Sequence, residues 1–148
     1  MHCDLKSSNI MITPEFNVKI TDFGLAKLTC LHKPFKGRIG TTHWMAPEVM
    51  RGETFSESSD VYSYGAILWE MITGNIPYGE LSSMQIIGTV GYNGKNLPET
   101  SSDLAKICSM CLNHNPVLRP NFKDIICFIE DILGNTEDCQ CCELAYTN

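Results

Sequence analysis

The sequence predicts a mainly α-helical fold that begins with one short β-hairpin, continues through a long loop and ends in four to five helices. Two β-prone runs flank a loop with proline and asparagine, which is typical of a hairpin. Residues 25–46 show no clear periodicity, and a loop of that length in a compact domain is usually functional or disordered. From residue 47 onward apolar residues recur at three- and four-residue steps, which indicates helices.

The predicted hairpin pairs residues 10–12 with residues 18–20. Asn9 precedes the first strand and Asp22 follows the second, so the hairpin brings these two side chains close together. Both side chains offer the hard oxygen atoms that Mg²⁺ prefers. On its own, Asp22-Phe23-Gly24 is typical of a strand that enters a turn. However, Asp22-Phe23-Gly24 follows Asp4, Lys6 and Asn9 at a short distance along the chain, and this combination favours a functional interpretation.

The helical part begins with a short helix at Pro47. A long helix follows, with Ser56 or Ser58 as its cap and Gly74 as its end. Because this helix is apolar nearly all round, we expect it to be buried.

Three further helical segments are predicted. A weak helix follows Ser82, residues 101–103 cap the next helix, and the last helix begins at Asn121. The apolar residues that we expect the last helix to bury are Phe122, Ile125, Ile126, Ile129, Ile132 and Leu133. The periodicity is then lost, so we expect one folded unit over residues 1–134 and a mobile tail over residues 135–148.

Charge and hydropathy exclude several classes of protein. The net charge of −6 argues against a nucleic-acid partner. No apolar run approaches the roughly 18–20 residues of a membrane helix, and the first residues do not resemble a signal peptide. The sequence therefore predicts a cytoplasmic protein without a membrane span.

Eight cysteines are many for 148 residues. Cys108, Cys111 and Cys127 fall at apolar helix positions, where a free thiol packs as a small hydrophobe, so we expect a reduced chain. Cys108 and Cys111 have the spacing of a zinc-ligand pair, but no second pair accompanies them, which favours core packing. Cysteines 139, 141 and 142 are open to acylation or metal binding, although an unstructured tail is the favoured interpretation.

The stretch around the hairpin carries the groups that phosphoryl transfer requires. Asp4 is a carboxylate, Lys6 supplies an ammonium, Asn9 a carboxamide and Asp22 a second carboxylate. Such a reaction needs a group that orients the attacking hydroxyl, a cation for the moving phosphate and oxygen ligands for Mg²⁺.

These residues resemble the catalytic and magnesium-binding loops of protein kinases, and three further blocks extend the resemblance to residue 133. The blocks, in the family's order, are the catalytic loop Asp4-Leu5-Lys6-Ser7-Ser8-Asn9, Asp22-Phe23-Gly24, Ala46-Pro47-Glu48, Asp60-Val61-Tyr62-Ser63-Tyr64-Gly65 and Arg119-Pro120. Each block alone is weak, whereas the ordered set is specific. The resemblance implies the C-terminal lobe of the α+β protein-kinase fold, from the catalytic loop onward.

The resemblance implies a role for each residue of the site and implies ATP and Mg²⁺ as cofactors. Asp4 would orient the substrate hydroxyl, and Lys6 would lie near the transferred γ-phosphate of ATP. Thr41 would bond both of them, and Lys6 and Thr41 together are typical of serine/threonine kinases. Asn9 and Asp22 would hold the magnesium ions.

Other matched residues would have structural roles. Glu48 and Arg119 resemble an ion pair that fixes the end of the activation segment, the loop that follows Asp22-Phe23-Gly24. Asp60 resembles the helix residue that accepts backbone hydrogen bonds from the catalytic loop.

The residues within and around these blocks resemble the tyrosine-kinase-like group of protein kinases. Residues 72–78 together with residues 96–98 resemble the mixed-lineage kinases in particular. Mixed-lineage kinases act as MAP kinase kinase kinases. The resemblance therefore implies a protein substrate that is a MAP kinase kinase, and a homodimer formed through segments outside this chain.

Two departures from the family pattern matter. Cys3 stands where the family usually has an arginine that pairs with a phosphate on the activation loop, and a thiol cannot form such a pair. Residues 31–40 contain no serine, threonine or tyrosine. We therefore hypothesise that phosphorylation at these positions does not switch the enzyme on.

The second departure is that the sequence begins at the catalytic loop, without the glycine-rich loop, strand lysine and hinge that bind ATP in the family. We expect the chain alone to bind ATP weakly and to be inactive. A pseudokinase, or a truncated kinase-like module that binds partners without catalysis, is the alternative function.

Overall fold

A computed structural model of the chain describes residues 1–28, 37 and 40–134. Within these residues it has one two-stranded sheet and five α-helices. The elements are β1 (Ile10–Ile12), β2 (Val18–Ile20), α1 (Pro47–Met50), α2 (Glu57–Thr73), α3 (Ser83–Ile86), a π-helix (Ile87–Tyr92), α4 (Ala105–Cys111) and α5 (Phe122–Ile132). Short 3₁₀ turns lie at Ser7–Asn9, Thr42–Trp44 and Pro116–Leu118. The mainly α fold with a single early hairpin is confirmed.

The hairpin has the bounds that the sequence predicts. Its strands pair antiparallel, with Ile10 opposite Ile20 and Ile12 opposite Val18. The register continues one residue further, because the Thr21 amide donates to the Asn9 carbonyl at 2.9 Å. The entrance and the exit of the hairpin are therefore held side by side.

Helix α2 is the central element of the core. Ser56 is its N-cap, and Gly74 ends it in the left-handed conformation at φ 68°, where glycine has no steric penalty. Ten of its 17 residues are buried, in agreement with the predicted apolar surface. At Gly65 a Cβ would lie 2.7 Å from Cys111 Cβ, so a glycine lets α4 pack directly against α2.

The two helical segments after α2 differ from the prediction in their ends. The weak helix has its expected cap, Ser82, but continues as a π-helix through both glycines to Tyr92. The α4 N-cap is Leu104, without a capping side chain, so the cap predicted at residues 101–103 is wrong. A turn intervenes there, in which the Ser102 carbonyl accepts from the Ala105 amide at 2.9 Å. The serine hydroxyls therefore lie one turn before the helix.

The predicted burial of α5 is wrong for most of its residues. Ile125 is buried and Ile129 is partly buried, as expected. Four of the listed side chains are instead 39–65% exposed, namely Phe122, Ile126, Ile132 and Leu133. The periodicity of a helix identifies its apolar residues but not how many neighbouring elements cover them, and here only one side of α5 packs against the core.

The cysteines of the helices are core residues. Cys108, Cys111 and Cys127 are buried, as the sequence predicts. Burial raises the pKa of Cys108 to about 11 and that of Cys111 to about 12, so both stay protonated thiols at neutral pH. No group of three or more His, Cys, Asp or Glu side chains lies together in the described part of the chain.

No helix in the described ranges is long and apolar enough to cross a membrane. The predicted tail of residues 135–148, with its three cysteines, lies outside the described residues. So does most of the basic loop segment on which the phosphorylation hypothesis rests.

Candidate active site

The loop that carries Asp4 is held on helix α2 by a buried carboxylate. Asp60 accepts the backbone N–H of His2 at 2.7 Å and that of Cys3 at 3.0 Å, one on each oxygen. Burial raises the pKa of Asp60, and the two backbone donors oppose that shift. Cys3 adopts the left-handed conformation at φ 71°, so the loop turns sharply just before Asp4.

His2 joins this loop to the exit of the hairpin. Its Nδ1 accepts the backbone N–H of Asp4 at 3.3 Å. Its Nε2 lies 2.9 Å from the Thr21 carbonyl, to which it donates in the tautomer that the Nδ1 contact requires. The ring also packs edge-on against Phe23, with the centroids 5.0 Å apart. One side chain therefore contacts both parts of the site.

Asp4, Lys6 and Thr41 form a closed set of polar contacts. Asp4 Oδ1 accepts both the backbone N–H of Thr41 at 2.7 Å and its hydroxyl at 2.9 Å. The Lys6 ammonium lies 2.9 Å from Asp4 Oδ2 and donates to Thr41 Oγ1 at 2.7 Å. The contacts expected for Thr41 are thus present, although 35 residues separate it from Lys6.

The same contacts set the charge state of Asp4. Burial alone would raise the pKa of Asp4, but the hydrogen bonds from Lys6 and Thr41 outweigh it and lower that pKa below its ordinary 3.8. The carboxylate is therefore anionic at neutral pH. Its side chain is 11% exposed, so it still reaches the surface of the site.

Gly40 permits the close approach of Thr41 to Asp4. It has a φ of 105°, a backbone conformation that side chains rarely adopt. A Cβ there would lie 2.9 Å from the Cys3 carbonyl oxygen and 3.3 Å from Asp4 Oδ1. The need for this glycine follows from the packing of two distant segments, so the sequence alone did not reveal it.

Asn9 and Asp22 lie at the two ends of the hairpin, as the sequence predicts. Asn9 is buried, and its amide nitrogen donates to the Asp4 carbonyl at 2.9 Å, which directs its amide oxygen away from that carbonyl. Asp22 is exposed and adopts φ 63°, and its Oδ1 accepts the Gly24 amide at 3.4 Å. The paired Asn9 and Thr21 backbones hold the two residues near each other.

The donor set at the hairpin fits Mg²⁺. It consists of one amide oxygen and one carboxylate, which are hard ligands. No group of three or more His, Cys, Asp or Glu side chains lies together among the described residues. Mg²⁺ keeps several waters and is usually bound by one or two carboxylates together with substrate phosphates.

The segment after Thr41 is anchored by a buried ion pair. Glu48 accepts two hydrogen bonds from Arg119, at 2.7 and 2.8 Å, and the two side chains are 3% and 0% exposed. Ser59 Oγ donates to the same carboxylate at 2.9 Å. The Arg119 guanidinium also lies over the Tyr62 ring at 5.0 Å. This pair is the structural contact that the resemblance implied.

Cys3 is a core residue here. It is 5% exposed and belongs to the hydrophobic core, and burial raises the pKa of its thiol. The position at which the resembling family has a phosphate-binding arginine is therefore occupied by a protonated, buried side chain.

Sequence reasoning missed one polar residue of this region, Glu70. Its carboxylate accepts the Ser7 hydroxyl and the Trp44 indole N–H, each at 3.1 Å. Glu70 lies among apolar residues in the second half of α2, so only the folded structure identifies its partners.

The fold and this arrangement agree with the comparison to known families. Residues 1–129 match the model of the protein tyrosine and serine/threonine kinase family, and the chain belongs to that family. Among its relatives, mitogen-activated protein kinase kinase kinase 12 of Rattus norvegicus is 41% identical over 145 residues, which are 93% of this chain and 16% of that protein.

Two further relatives extend this similarity. Mitogen-activated protein kinase kinase kinase 13-A of Xenopus laevis is 40% identical over 93% of this chain and 15% of its own length. Serine/threonine-protein kinase CTR1 of Arabidopsis thaliana is 38% identical over 90% of this chain and 17% of its own length. The resemblance to tyrosine-kinase-like and mixed-lineage kinases is thus confirmed, and the chain spans about a sixth of the length of these three relatives.

Proposed function

We propose that this chain carries the phosphoryl-transfer part of a serine/threonine protein kinase, which moves the γ-phosphate of ATP to a serine or threonine of a protein substrate. The observation that carries the proposal is the closed set of Asp4, Lys6 and Thr41. It joins an anionic acceptor, a cation and a hydroxyl from two separate segments of the chain. Kinase catalysis depends on such positioned groups more than on covalent chemistry.

Each residue has a defined part in the proposed reaction. Asp4, with its lowered pKa, is a weak base that orients the substrate hydroxyl through a hydrogen bond. Lys6 places a positive charge where the phosphoryl group moves. Thr41 fixes the distance between Lys6 and Asp4 through its hydroxyl.

The cofactors of this proposal are ATP and Mg²⁺. Asn9 and Asp22 would hold the metal through oxygen atoms, and Lys6 would contact the γ-phosphate. When bound, Mg·ATP supplies the transferred group and offsets its negative charge. The protein residues orient the substrate hydroxyl and the transferred phosphoryl group relative to each other.

The substrate and the setting are proposed from the relatives. Two of them are named mitogen-activated protein kinase kinase kinases, which favours a MAP kinase kinase as the protein substrate. A cytoplasmic signalling cascade is the setting that fits such a substrate. A homodimer, if it forms, would use segments outside this chain.

The test is transfer of labelled γ-phosphate from Mg·ATP to a purified MAP kinase kinase by the protein at its natural length. We expect Asp4→Asn to reduce kcat by about 10²–10⁴-fold, the range for a positioned acid–base group. Met71→Ala is the matched control, because Met71 lies on α2 and is 71% exposed. Equal activity of Asp4→Asn and the unsubstituted protein would refute the proposal.

A binding module without catalysis is the second candidate. Six large apolar side chains in residues 11–23 are 49–87% exposed, and exposed apolar residues concentrated in one part of a protein often mark an interaction site. Absence of phosphate transfer by the protein at its natural length, combined with stable binding of a kinase partner, would favour this candidate.

A further inference from the structure

Glu70 is a carboxylate near the end of α2 that the proposed reaction does not use. Ser7 Oγ donates to its Oε1 at 3.1 Å, and Trp44 Nε1 donates to its Oε2 at 3.1 Å. The two donors lie 63 and 26 residues away along the chain. Both oxygens of one side chain are therefore engaged by two separate segments.

These two segments are the ones that hold the closed set of Asp4, Lys6 and Thr41. Ser7 directly follows Lys6 in the catalytic loop. Trp44 ends the 3₁₀ turn after Thr41, and its amide donates to the Thr41 carbonyl at 3.1 Å. Ser7 is thus the sequence neighbour of Lys6, and Trp44 is hydrogen-bonded to Thr41.

Helix α2, which carries Glu70, is suited to fix the distance between the catalytic loop and the segment that bears Thr41. Helix α2 forms the middle of the core, and Leu68 and Trp69, which precede Glu70, are buried. Hydrogen bonds to an ionised carboxylate are roughly twice as strong as bonds between neutral groups. A surface glutamate without a structural role would not be expected to engage both oxygens with donors from two distant segments.

We propose that Glu70 is a positioning residue that sets the separation between the catalytic loop and the segment bearing Thr41. It acts through Ser7 on one side and Trp44 on the other, and does not itself contact the reacting groups. The effect on catalysis rests on the proposed kinase function, whereas the effect on the position of Thr41 does not.

The structural test is amide exchange followed by NMR on the 148-residue chain. The Thr41 amide donates to Asp4 Oδ1, so its exchange rate reports the contact between the two segments. We expect Glu70→Ala to speed exchange at Thr41 about tenfold, the factor for a loss of about 1.4 kcal/mol from two hydrogen bonds. Exchange at Ala66, which is fully buried in α2, should be unchanged.

A second signal in the same spectra comes from the indole of Trp44. We expect its N–H resonance to shift upfield in Glu70→Ala because the charged acceptor is removed. Trp69→Phe assigns the two indole signals, since Trp69 Nε1 donates elsewhere, to the Pro98 carbonyl. Glu70→Gln retains one acceptor oxygen and should give an intermediate result.

Met71→Ala is the matched control for a change on the same turn of α2, and it should alter neither signal. If Glu70→Ala does not fold, Ser7→Ala and Trp44→Phe each remove one of the two bonds and take its place. Unchanged Thr41 exchange in these variants, or an equal change in Met71→Ala, would overturn the proposal.

The catalytic test uses the protein at its natural length. We expect Glu70→Ala to lower kcat about tenfold with little change in the KM for ATP, because the substitution displaces transition-state groups and no ATP ligand. Absence of transfer by the unsubstituted protein would refute the kinase function and leave the exchange result standing. A normal kcat together with faster amide exchange at Thr41 would contradict only the proposed effect of Glu70 on catalysis.

Discussion

At the scale of single residues, two buried carboxylates and one partly buried carboxylate fix the geometry of this molecule. Asp60 holds the catalytic loop, Glu48 holds the segment after Thr41 and Glu70 connects the two. The sequence identified Asp60 and Glu48 because both lie within short motifs with a known partner type. Glu70 lies in the apolar second half of α2, 63 residues from Ser7, and no neighbouring residue in the sequence indicates that pairing.

The Glu48–Arg119 pair gives a prediction about stability. Glu48→Gln removes one charge and leaves the Arg119 guanidinium buried without a counter-ion. We expect a loss of about 3–5 kcal/mol in the free energy of unfolding, the usual effect of breaking a buried pair. Urea unfolding followed by circular dichroism measures this loss.

The exposed pair of Arg51 and Glu53 provides the control. The Glu53 side chain is 54% exposed and that of Arg51 is 28% exposed, so Glu53→Gln should change stability by less than about 1 kcal/mol. Similar losses in the two variants would show that burial does not strengthen the Glu48 pair.

The Glu48→Gln substitution also gives a prediction about how the stability of the fold depends on pH. Burial raises the pKa of Glu48, but the Arg119 hydrogen bonds outweigh it and lower the pKa below its ordinary 4.5. The stabilisation is therefore complete above pH 4.5 and is lost as pH falls through the lowered pKa of the folded state. The stability difference between the unsubstituted chain and Glu48→Gln should shrink in that acidic range, and a constant difference would contradict the assignment.

At the scale of elements, the helices were predictable where local chemistry determines their ends. Ser56, Gly74 and Asn121 end or begin helices as expected, because capping depends on neighbours within a few residues. The cap of α4 and the π-helix after α3 were not predicted correctly. Both depend on packing against other elements, and Gly91, for example, approaches Met50 so closely that a Cβ would lie 3.0 Å from Met50 Cβ.

The caps of α4 and α5 give a matched pair of variants. Asn121 Oδ1 accepts the backbone N–H groups of Lys123 and Asp124 at 2.9 and 3.1 Å, so Asn121→Ala should cost about 1 kcal/mol. Ser102 stands before α4, whose N-cap has no side-chain hydrogen bond, so Ser102→Ala should be nearly neutral. Urea midpoints measure both, and an equal loss in the two variants would contradict this assignment of caps.

At the scale of the whole molecule, the described residues form a well-packed helical body and a poorly covered hairpin. The core cluster includes residues of α1, α2, α4 and α5 together with Cys3. All three residues of β2 are exposed, and so are Met11 and Ile12 of β1. The sequence predicted the hairpin and the order of the proposed metal ligands that flank it, but the exposure of both strands emerges only from the assembled fold.

Because the hairpin is poorly covered, we expect the 148-residue chain to bind nucleotide weakly. Asn9 and Asp22 flank a hairpin of two three-residue strands, and an isolated two-stranded hairpin is marginally stable in water. Asp22, a proposed metal ligand that is exposed, is therefore held less firmly than Asp4 and Thr41, which are fixed on the helical body. Binding must supply the free energy that orders the hairpin, which reduces the apparent affinity.

We therefore expect isothermal titration of the 148-residue chain with Mg·ATP to give no micromolar dissociation constant. A full-length protein kinase of the same family, titrated in the same buffer, is the positive control for Mg·ATP binding. Asp22→Asn provides the matched negative control, since it removes the exposed carboxylate ligand. A micromolar constant for the 148-residue chain that disappears in Asp22→Asn would contradict the prediction, because it would show that the hairpin already holds its ligands in place without further support.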